Sequence, residues 1–359
     1  MLSIVLYGLI AFFTYIAVTM LYFELRTRGD NYFALPLARR QDIIKQLKFH
    51  AGIIRPLFEL GARVYRLKTP PLMRYDNVTG PLVMASKKSY AASKNYQPQH
   101  NDIFIATQMK CGTTWMQQIV FEVLHRGEGN LSDKGYRHMY ALSPWIETSP
   151  TSSVPFERAP LVGEKDSRII KTHMPAQLCP WSEKAKYIYV TRHPVSCFAS
   201  CLDFIHLLSG PMSPNRENLL SWYCSDEMFW RSWPEHVEGW WRRSEQHENV
   251  LFIHYEEMKK DLRASIKTVA EFLDMPLTEQ EISKVEHKAS FDYMKTNEAH
   301  FEMFSPNIFT VSEKGGGFIK TGTLDRYKDV SDAEAEQIMS FCSTRLEGAH
   351  YPLAKFYPV

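Results

Sequence analysis

Residues 104–115 read Phe104-Ile105-Ala106-Thr107-Gln108-Met109-Lys110-Cys111-Gly112-Thr113-Thr114-Trp115. A short apolar run leads into a Lys-x-Gly-Thr-Thr turn, and an apolar pattern with helical spacing follows the turn. A strand, a tight turn and a helix start in this order form an anion-binding cradle, because the first N–H groups of a helix are unpaired and lie at the positive end of its dipole. Lys110 adds a cation, and the Thr113 and Thr114 hydroxyls add donors. The alternative is an ordinary strand-to-helix corner with a solvated Lys110.

This turn is not a nucleotide-triphosphate loop, which needs Gly-x4-Gly-Lys-Ser/Thr. Here the lysine precedes the only glycine, and no glycine lies upstream to open the loop. The turn resembles the 5′-phosphosulfate loop of the sulfotransferases that use 3′-phosphoadenylyl sulfate (PAPS), usually written Tyr-Pro-Lys-Ser-Gly-Thr-Thr-Trp. Gln108-Met109 takes the place of Tyr-Pro, and Cys111 takes the place of the serine. The resemblance predicts PAPS as cofactor and implies the following binding residues: Lys110, Cys111, Gly112, Thr113, Thr114 and Trp115.

The composition is that of an ordinary folded chain. The 359 residues are 45% hydrophobic and 23% charged, with a formal net charge of +2. This length allows one large domain with an extension, and so small a charge gives no argument for a nucleic acid partner. The six cysteines are scattered, without disulfide-framework or zinc-ligand spacing. We therefore expect buried free thiols in a reducing compartment, and no metal.

The N-terminal segment differs from the rest of the chain. Leu2 to Phe23 carries no charge, and 22 residues at about 1.5 Å rise span the hydrocarbon core of a bilayer. The segment lacks the basic start and small-residue cleavage site of a signal peptide, so residues 1–24 are predicted to form a single-pass transmembrane anchor. Arginines follow the segment and none precedes it, which predicts that the remaining chain lies on the cytoplasmic side.

Residues 25–75 are predicted to form a basic amphipathic segment and a linker. Apolar residues recur near helical spacing from residue 38 to 68, among a clear excess of Lys and Arg, and Pro56 is expected to kink or split the helix. Such a helix could lie on an anionic membrane leaflet or pack on the catalytic domain with a solvated basic face. Thr69-Pro70-Pro71 then marks a linker, and residues 76–359 form the predicted sulfotransferase domain.

After residue 81 the chain alternates between strand and helix patterns. Short runs rich in Ile, Val, Phe and Tyr predict strands at Ile103–Thr107, Arg168–Thr172, Tyr187–Thr191 and Val250–His254. Helical patterns follow at Thr113–His125, Val195–Leu208, Pro234–Gln246, Leu262–Leu273 and Ala333–Cys342. This alternation predicts an α/β fold with a central parallel sheet flanked by helices, and ligands bind at the carboxyl ends of such strands. The resemblance implies the P-loop-like sulfotransferase form of that fold.

Two further strand ends carry candidate site residues. Lys171-Thr172-His173 closes the second strand, and an imidazole there suits removal of a proton from an attacking hydroxyl, although a lone histidine is more often structural. The family has Lys-Thr-His-x-Pro at this point, so the resemblance implies that His173 is the catalytic base and that Lys171 contacts the transition state. Arg192 follows the third strand, with Ser200 eight residues later. Arg offers a bidentate fork to phosphate, and the family holds the 3′-phosphate with residues at this spacing.

A glycine-rich loop from Gly315 onward resembles the family's C-terminal Arg-Lys-Gly-x-x-Gly-Asp-Trp-Lys loop less closely. In the register we favour, Lys320 and Thr321 stand for the Arg-Lys pair and Gly322 for the first glycine; a second register would use Lys314-Gly315. For the adenine, the family uses stacking aromatics and neighbouring side chains. The resemblance carries that role to Trp115, Tyr255, Ser290 and Phe291.

The function predicted from these motifs is transfer of a sulfuryl group from PAPS to a hydroxyl or amine of a small, lipophilic acceptor such as a lipid or phenol. His173, Lys110 and Lys171 are its predicted catalytic residues. Two alternatives stay open: a non-catalytic, membrane-anchored nucleotide-binding scaffold, and a P-loop-type nucleotide kinase. The sequence leaves the acceptor and the oligomeric state undetermined.

Overall fold

The computed structural model describes residues 2–28, 32–82, 84–133, 136–148, 159–302, 318–319, 322 and 325–358. Within these residues the strands are β1 (Leu72–Tyr75), β2 (Val78–Pro81), β3 (Asp102–Thr107), β4 (Arg168–Thr172), β5 (Lys186–Thr191) and β6 (Val250–His254). The helices that precede β4 are α1 (Leu2–Arg28), α2 (Leu37–Val64), α3 (Lys87–Lys94), α4 (Thr113–Leu124) and α5 (Met139–Leu142). The later helices are α6 (Pro194–Ser209), α7 (Arg216–Tyr223), α8 (Trp233–Gln246), α9 (Tyr255–Lys260), α10 (Leu262–Phe272), α11 (Glu279–Lys288), α12 (Phe291–Thr296), α13 (Asp332–Arg345) and α14 (Leu353–Phe356).

The central sheet has the order β4-β3-β5-β6, and every neighbouring pair is parallel. Ala106 of β3 is in register with Thr172 of β4, and Thr107 is in register with Val190 of β5. The carboxyl ends of these three strands therefore lie side by side. The chain passes from β3 to β4 on one side and then crosses back to β5 on the other side of β3. Such a reversal of strand order marks the topological switch point where α/β folds bind ligands.

Alternate side chains of β3 enter two separate apolar layers, as expected for a strand buried on both faces. Ile103 and Ile105 pack with the apolar side of α4 and with α10 and α11. Phe104 and Ala106 face the opposite layer, which contains the aromatic residues of α8. The predicted α/β fold with a central parallel sheet is confirmed, and all four predicted strands lie within one residue of their expected starts.

Two features of the N-terminal third differ from what the patterns suggest. A kink or a split was expected at Pro56, and of these the split does not occur, because helix α2 continues through the proline. Ile43 and Leu47 of α2 pack in a cluster with residues of α5, so this helix is seated on the catalytic domain. The antiparallel hairpin of β1 and β2 crosses the predicted domain boundary at residue 75, and Tyr75 stacks on Trp230 at 6.0 Å.

The predicted transmembrane anchor is not supported. Residues 2–28 form helix α1, but among the residues that the structure describes no helix combines the length and the apolar character that a bilayer crossing requires. Helix α1 instead makes polar contacts with α2: Tyr22 Oη donates to Gln46 Oε1 at 3.2 Å, and the Tyr15 hydroxyl contacts Nδ1 of His50. The cytoplasmic placement of the following residues stays a prediction.

Candidate active site

A cavity of about 420 Å³ opens at the carboxyl ends of β3, β4 and β5. It brings together side chains from all three predicted strand-end motifs and from the adenine-binding candidates. The predicted site residues that line it are Lys110, Gly112, Thr113, Thr114, Trp115, Lys171, His173, Arg192, Ser200, Tyr255, Ser290, Phe291 and Gly322. One surface therefore carries the anion cradle, the imidazole and the arginine.

The loop between β3 and α4 has the backbone of an anion cradle. Lys110 has φ +65° and Gly112 has φ +106°, so the chain turns back to begin α4 at Thr113. A Cβ on Gly112 would lie 2.8 Å from Cδ2 of Tyr255. The glycine is thus required by its conformation and by the close approach of the tyrosine ring. The first two residues of α4, Thr113 and Thr114, line the cavity, and the unpaired N–H groups and the dipole at a helix start favour a negative charge there.

Lys110 lines the same cavity, and its ammonium lies near two aromatic rings. Its Nζ lies 4.7 Å from the ring centroid of Phe204 and 4.9 Å from that of Phe318. Burial lowers the pKa of Lys110, and nearby Arg192 lowers it further. A bound polyanion would favour the charged form of Lys110 and so oppose this lowering of its pKa.

Among the predicted cofactor-binding residues that the structure describes, Cys111 alone does not line the cavity. Its side chain is buried, with Sγ 3.7 Å from Sγ of Cys197 on α6. The thiol that replaces the family's serine therefore packs between the loop and α6. Only the backbone of Cys111 belongs to the cradle.

His173 is buried against β3 with one nitrogen fixed. Its Nδ1 lies 2.8 Å from the carbonyl oxygen of Thr107, and donation to that carbonyl leaves Nε2 as the acceptor atom. Burial holds the pKa of His173 well below its usual value, and the neighbouring Lys171 lowers it further. The imidazole is therefore neutral at pH 7 and able to accept a proton.

A buried carboxylate, Glu147, organises the end of β4. Its Oε1 accepts the backbone N–H of His173 at 2.6 Å, and its Oε2 accepts the Thr172 hydroxyl at 3.0 Å. Burial raises the pKa of Glu147, and these hydrogen bonds oppose the rise. The same carboxylate favours the charged form of Lys171, whose pKa burial lowers to about 7.

Arg192 and the adenine-binding candidates line the same cavity. Arg192 is 7% exposed, and its guanidinium carbon lies 4.5 Å from the ring centroid of Tyr255. The rings of Tyr255 and Trp115 meet edge to face at 5.3 Å, while Trp115 Nε1 donates to the carbonyl oxygen of Ala289 at 2.8 Å. Ser290 caps α12 by accepting the backbone N–H of Tyr293. These contacts fix a partly aromatic slot beside the arginine.

The C-terminal loop is described only in part. Lys320 and Thr321 lie outside the described residues. Gly322 has φ +55°, and a Cβ there would lie 2.4 Å from Cδ2 of Phe291, so the chain passes directly over that ring. Arg326, which the motif comparison did not single out, also lines the cavity and donates to Asp203 at 2.7 Å and to the carbonyl oxygen of Ala199 at 3.2 Å.

Three further residues of the site were given no role by the sequence motifs, although Thr107 lies within the 104–115 stretch. His173 forms hydrogen bonds with Thr107, 66 positions away along the chain, and with Glu147, 26 positions away. Lys171 donates to Tyr140, which lies 31 positions away. A carboxylate next to the apolar Pro-Trp-Ile run was the one visible signal for Glu147. Among the described residues, no group of three or more His, Cys, Asp or Glu is placed to hold a metal ion.

Comparison with known proteins gives a consistent result. A family profile described as Sulfotransferase domain matches residues 100–350. Sulfotransferase 2B1 of Mus musculus is 31% identical over 273 residues, which are 73% of this chain and 77% of that protein. The 3-alpha-hydroxysteroid sulfotransferase of Cavia porcellus is 29% identical over 269 residues, covering 73% of this chain and 90% of that protein. The crystal structure of mouse sulfotransferase SULT7A1 complexed with PAP superimposes with a TM-score of 0.59 at 23% identity, covering 77% of this chain and 94% of the other.

Proposed function

The chain belongs to the sulfotransferase family of PAPS-dependent enzymes, and from that premise we propose that it transfers a sulfuryl group from PAPS to a hydroxyl of a small lipophilic acceptor, with His173 as general base. The observation that carries the proposal is the shared cavity at the three strand ends, which holds an anion cradle, a neutral imidazole and a buried arginine.

The reaction asks the protein for placement and for neutralisation of charge. The acceptor oxygen bonds to sulfur while the bond between sulfur and the phosphate oxygen of PAPS breaks. The acceptor proton passes to Nε2 of His173, and the negative charge that develops on the leaving phosphate is met by Lys110 and the first amides of α4. Lys171 lies next to His173 and stabilises the sulfuryl oxygens. Arg192 and Ser200 bind the 3′-phosphate.

The predicted contacts of the C-terminal loop with the 3′-phosphate include Lys320, Thr321 and the Gly322 amide. Gly322 lines the cavity, and Phe291 lies beneath it. Arg326 lies on the same wall as Ser200 and supplements the cationic charge that this loop offers in place of the family's Arg-Lys pair. Its pairing with Asp203 reduces that contribution.

The remaining part of the cavity supports an uncharged acceptor. It is lined by Pro81, Met84, Trp145, Phe204, Leu207 and Phe229. Asp203 is the one carboxylate among the described lining residues, and it is paired with Arg326 at 2.7 Å. An acceptor amine would find no carboxylate left to bind its cationic form, so a hydroxyl or phenol fits better than an amine.

The test is incubation of the purified protein with sulfur-labelled PAPS and a panel of sterols, phenols and a total lipid extract. We expect label to move into an organic-soluble product, with no label transferred from γ-labelled ATP in a parallel reaction. Transfer from ATP would favour the kinase. Binding of PAP with no transfer to any acceptor would favour the non-catalytic scaffold.

A further inference from the structure

The Lys171 ammonium is held by two aromatic rings and one hydroxyl. Its Nζ lies 4.1 Å from the ring centroid of Trp145 and 4.7 Å from that of Tyr140, and it donates to the Tyr140 hydroxyl oxygen at 3.1 Å. Both a ring face and an accepting oxygen favour the charged form of a lysine. Tyr140 is 1% exposed, and it lines the same cavity as Thr114 of the phosphate-binding loop. The hydroxyl of Tyr140 therefore holds the Lys171 ammonium in the cavity that the phosphate-binding loop lines.

Tyr140 lies on a helix too short to fix it alone. Helix α5 has four residues, and it begins where the His138 side chain accepts the backbone N–H of Tyr140 at 3.0 Å. The ring of Tyr140 is packed against the imidazole of His138 at 5.6 Å and against the ring of Phe33 at 5.1 Å. Phe33 also lies 4.7 Å from the His138 ring. A residue near the start of the chain thus supports the ring whose hydroxyl contacts Lys171.

Residues 32–64 form what we call the N-terminal extension, because they precede the residues matched by the sulfotransferase family. Buried polar contacts pin this extension to the catalytic domain beside Tyr140. Arg137 Nη1 donates to the carbonyl oxygen of Ala34 at 2.6 Å, and the buried Arg40 donates to the carbonyl oxygens of Ala299 at 2.6 Å and Arg137 at 3.0 Å. A guanidinium that is 1% exposed and bonded to two carbonyls holds its helix firmly, because leaving those bonds unmade would be costly.

We propose that Tyr140 is a positioning residue for Lys171 in sulfuryl transfer, and that the N-terminal extension completes the active site by seating Tyr140 through Phe33. The proposal rests on the function proposed above. The N-terminal extension then determines where the Lys171 ammonium lies and how readily Lys171 keeps its proton. A catalytic domain without Phe33 would retain every family motif and still hold Lys171 less well.

The titration of Lys171 tests this arrangement without substrate. The groups that face Lys171 are Tyr140, Glu147, Lys110 and His173, of which Glu147 favours the ammonium and Lys110 disfavours it. Competitive labelling with acetic anhydride between pH 5 and 10, followed by mass spectrometry of the Lys171 peptide, gives the midpoint at which the neutral amine appears. In Tyr140→Phe we expect that midpoint to fall by about one pH unit, since one hydrogen bond to the charged form is lost. An unchanged midpoint would refute the role of Tyr140.

The contribution of the extension is tested in the same way. Phe33→Ala should lower the midpoint in the same direction as Tyr140→Phe, and Phe33→Leu provides a variant that keeps an apolar side chain if the alanine variant fails to fold. Phe49→Ala is the matched control, because Phe49 belongs to the same extension but is 69% exposed. It should leave the midpoint unchanged. A folded Phe33→Leu protein with the wild-type midpoint would show that the extension does not act on Lys171.

Turnover separates this inference from the proposed function. With the acceptor found in the labelled-PAPS assay, Tyr140→Phe should lower kcat about tenfold and leave the affinity for PAP unchanged. A wild-type protein that transfers nothing from PAPS contradicts the proposed function, whatever the labelling shows. Wild-type transfer combined with an unaltered Lys171 midpoint and kcat in Tyr140→Phe contradicts only the inference.

Discussion

Two contacts of the His173 ring orient it for proton acceptance. The carbonyl oxygen of Thr107, 2.8 Å from Nδ1, orients the imidazole and leaves Nε2 as the basic atom. Trp145 meets the ring edge to face at 5.0 Å and limits its rotation. The residue is thus both oriented and neutral, which are the two properties that a general base needs.

Replacing His173 with alanine should abolish most turnover and preserve PAP binding. The imidazole takes the acceptor proton but lies outside the anion cradle, so kcat should fall by about 10²- to 10⁴-fold. Titration calorimetry measures whether the affinity for PAP is preserved. Substantial turnover in His173→Ala would remove the base from the mechanism, and a parallel loss of PAP affinity would show that the imidazole serves the nucleotide instead.

The pH profile of kcat/KM should be governed on its alkaline side by Lys171. Burial lowers the pKa of this lysine to about 7, so the ammonium is present below that pH and is lost as the pH rises through it. Activity should therefore decline above about pH 7, while the acidic decline lies well below 6.5 because the pKa of His173 is depressed. Lys171→Arg is the comparison variant, since an arginine keeps its charge. Its residual activity should lack the alkaline decline; the same decline in both proteins would assign it to another group.

At the scale of elements, the loop between β3 and α4 depends on one glycine. Gly112→Ala would place a Cβ 2.8 Å from the Tyr255 ring and force φ +106° on a residue that disfavours it. We expect a loss of roughly 1–3 kcal/mol in the free energy of unfolding, together with weaker stabilisation by PAP, as measured by thermal melting with and without the nucleotide.

The matched control for this change is Gly61→Ala. Gly61 lies inside helix α2, and a Cβ there would meet no atom within 4 Å. Alanine should therefore be neutral or slightly stabilising at this position. Equal melting temperatures for Gly112→Ala and the wild type, with full PAP stabilisation, would contradict the account of the loop.

Elements with their own local pattern were predictable from the sequence. The strands β3 to β6 are short runs rich in Ile, Val, Phe and Tyr. Because each catalytic motif follows such a run directly, its place at the carboxyl end of a strand could be predicted from the sequence. A kink or a split of helix α2 was expected at Pro56; the helix is not split there, and the packing of Ile43 and Leu47 on the catalytic domain offsets part of the local cost of the proline. Local propensity cannot weigh such tertiary contacts.

At the scale of the whole molecule, the features that could not be predicted from the sequence are contacts between residues far apart along the chain. Glu147 reaches His173 across 26 positions, and Phe33 supports Tyr140 across more than one hundred. No periodicity or motif encodes such pairings, since each depends on how separate elements dock. The predicted anchor is the opposite case: an apolar run suggested a membrane span, whereas the described helices contain none that qualifies.

The central claim is that the ends of β3, β4 and β5 form one site for a doubly phosphorylated nucleotide. The measurement that tests it most directly is a crystal structure of the chain with PAP bound. We predict the 5′-phosphate on the Lys110–Thr114 amides, the 3′-phosphate on Arg192 and Ser200, and Nε2 of His173 facing the position of the sulfuryl group. PAP bound elsewhere, or phosphates that contact neither Lys110 nor Arg192, would contradict this account.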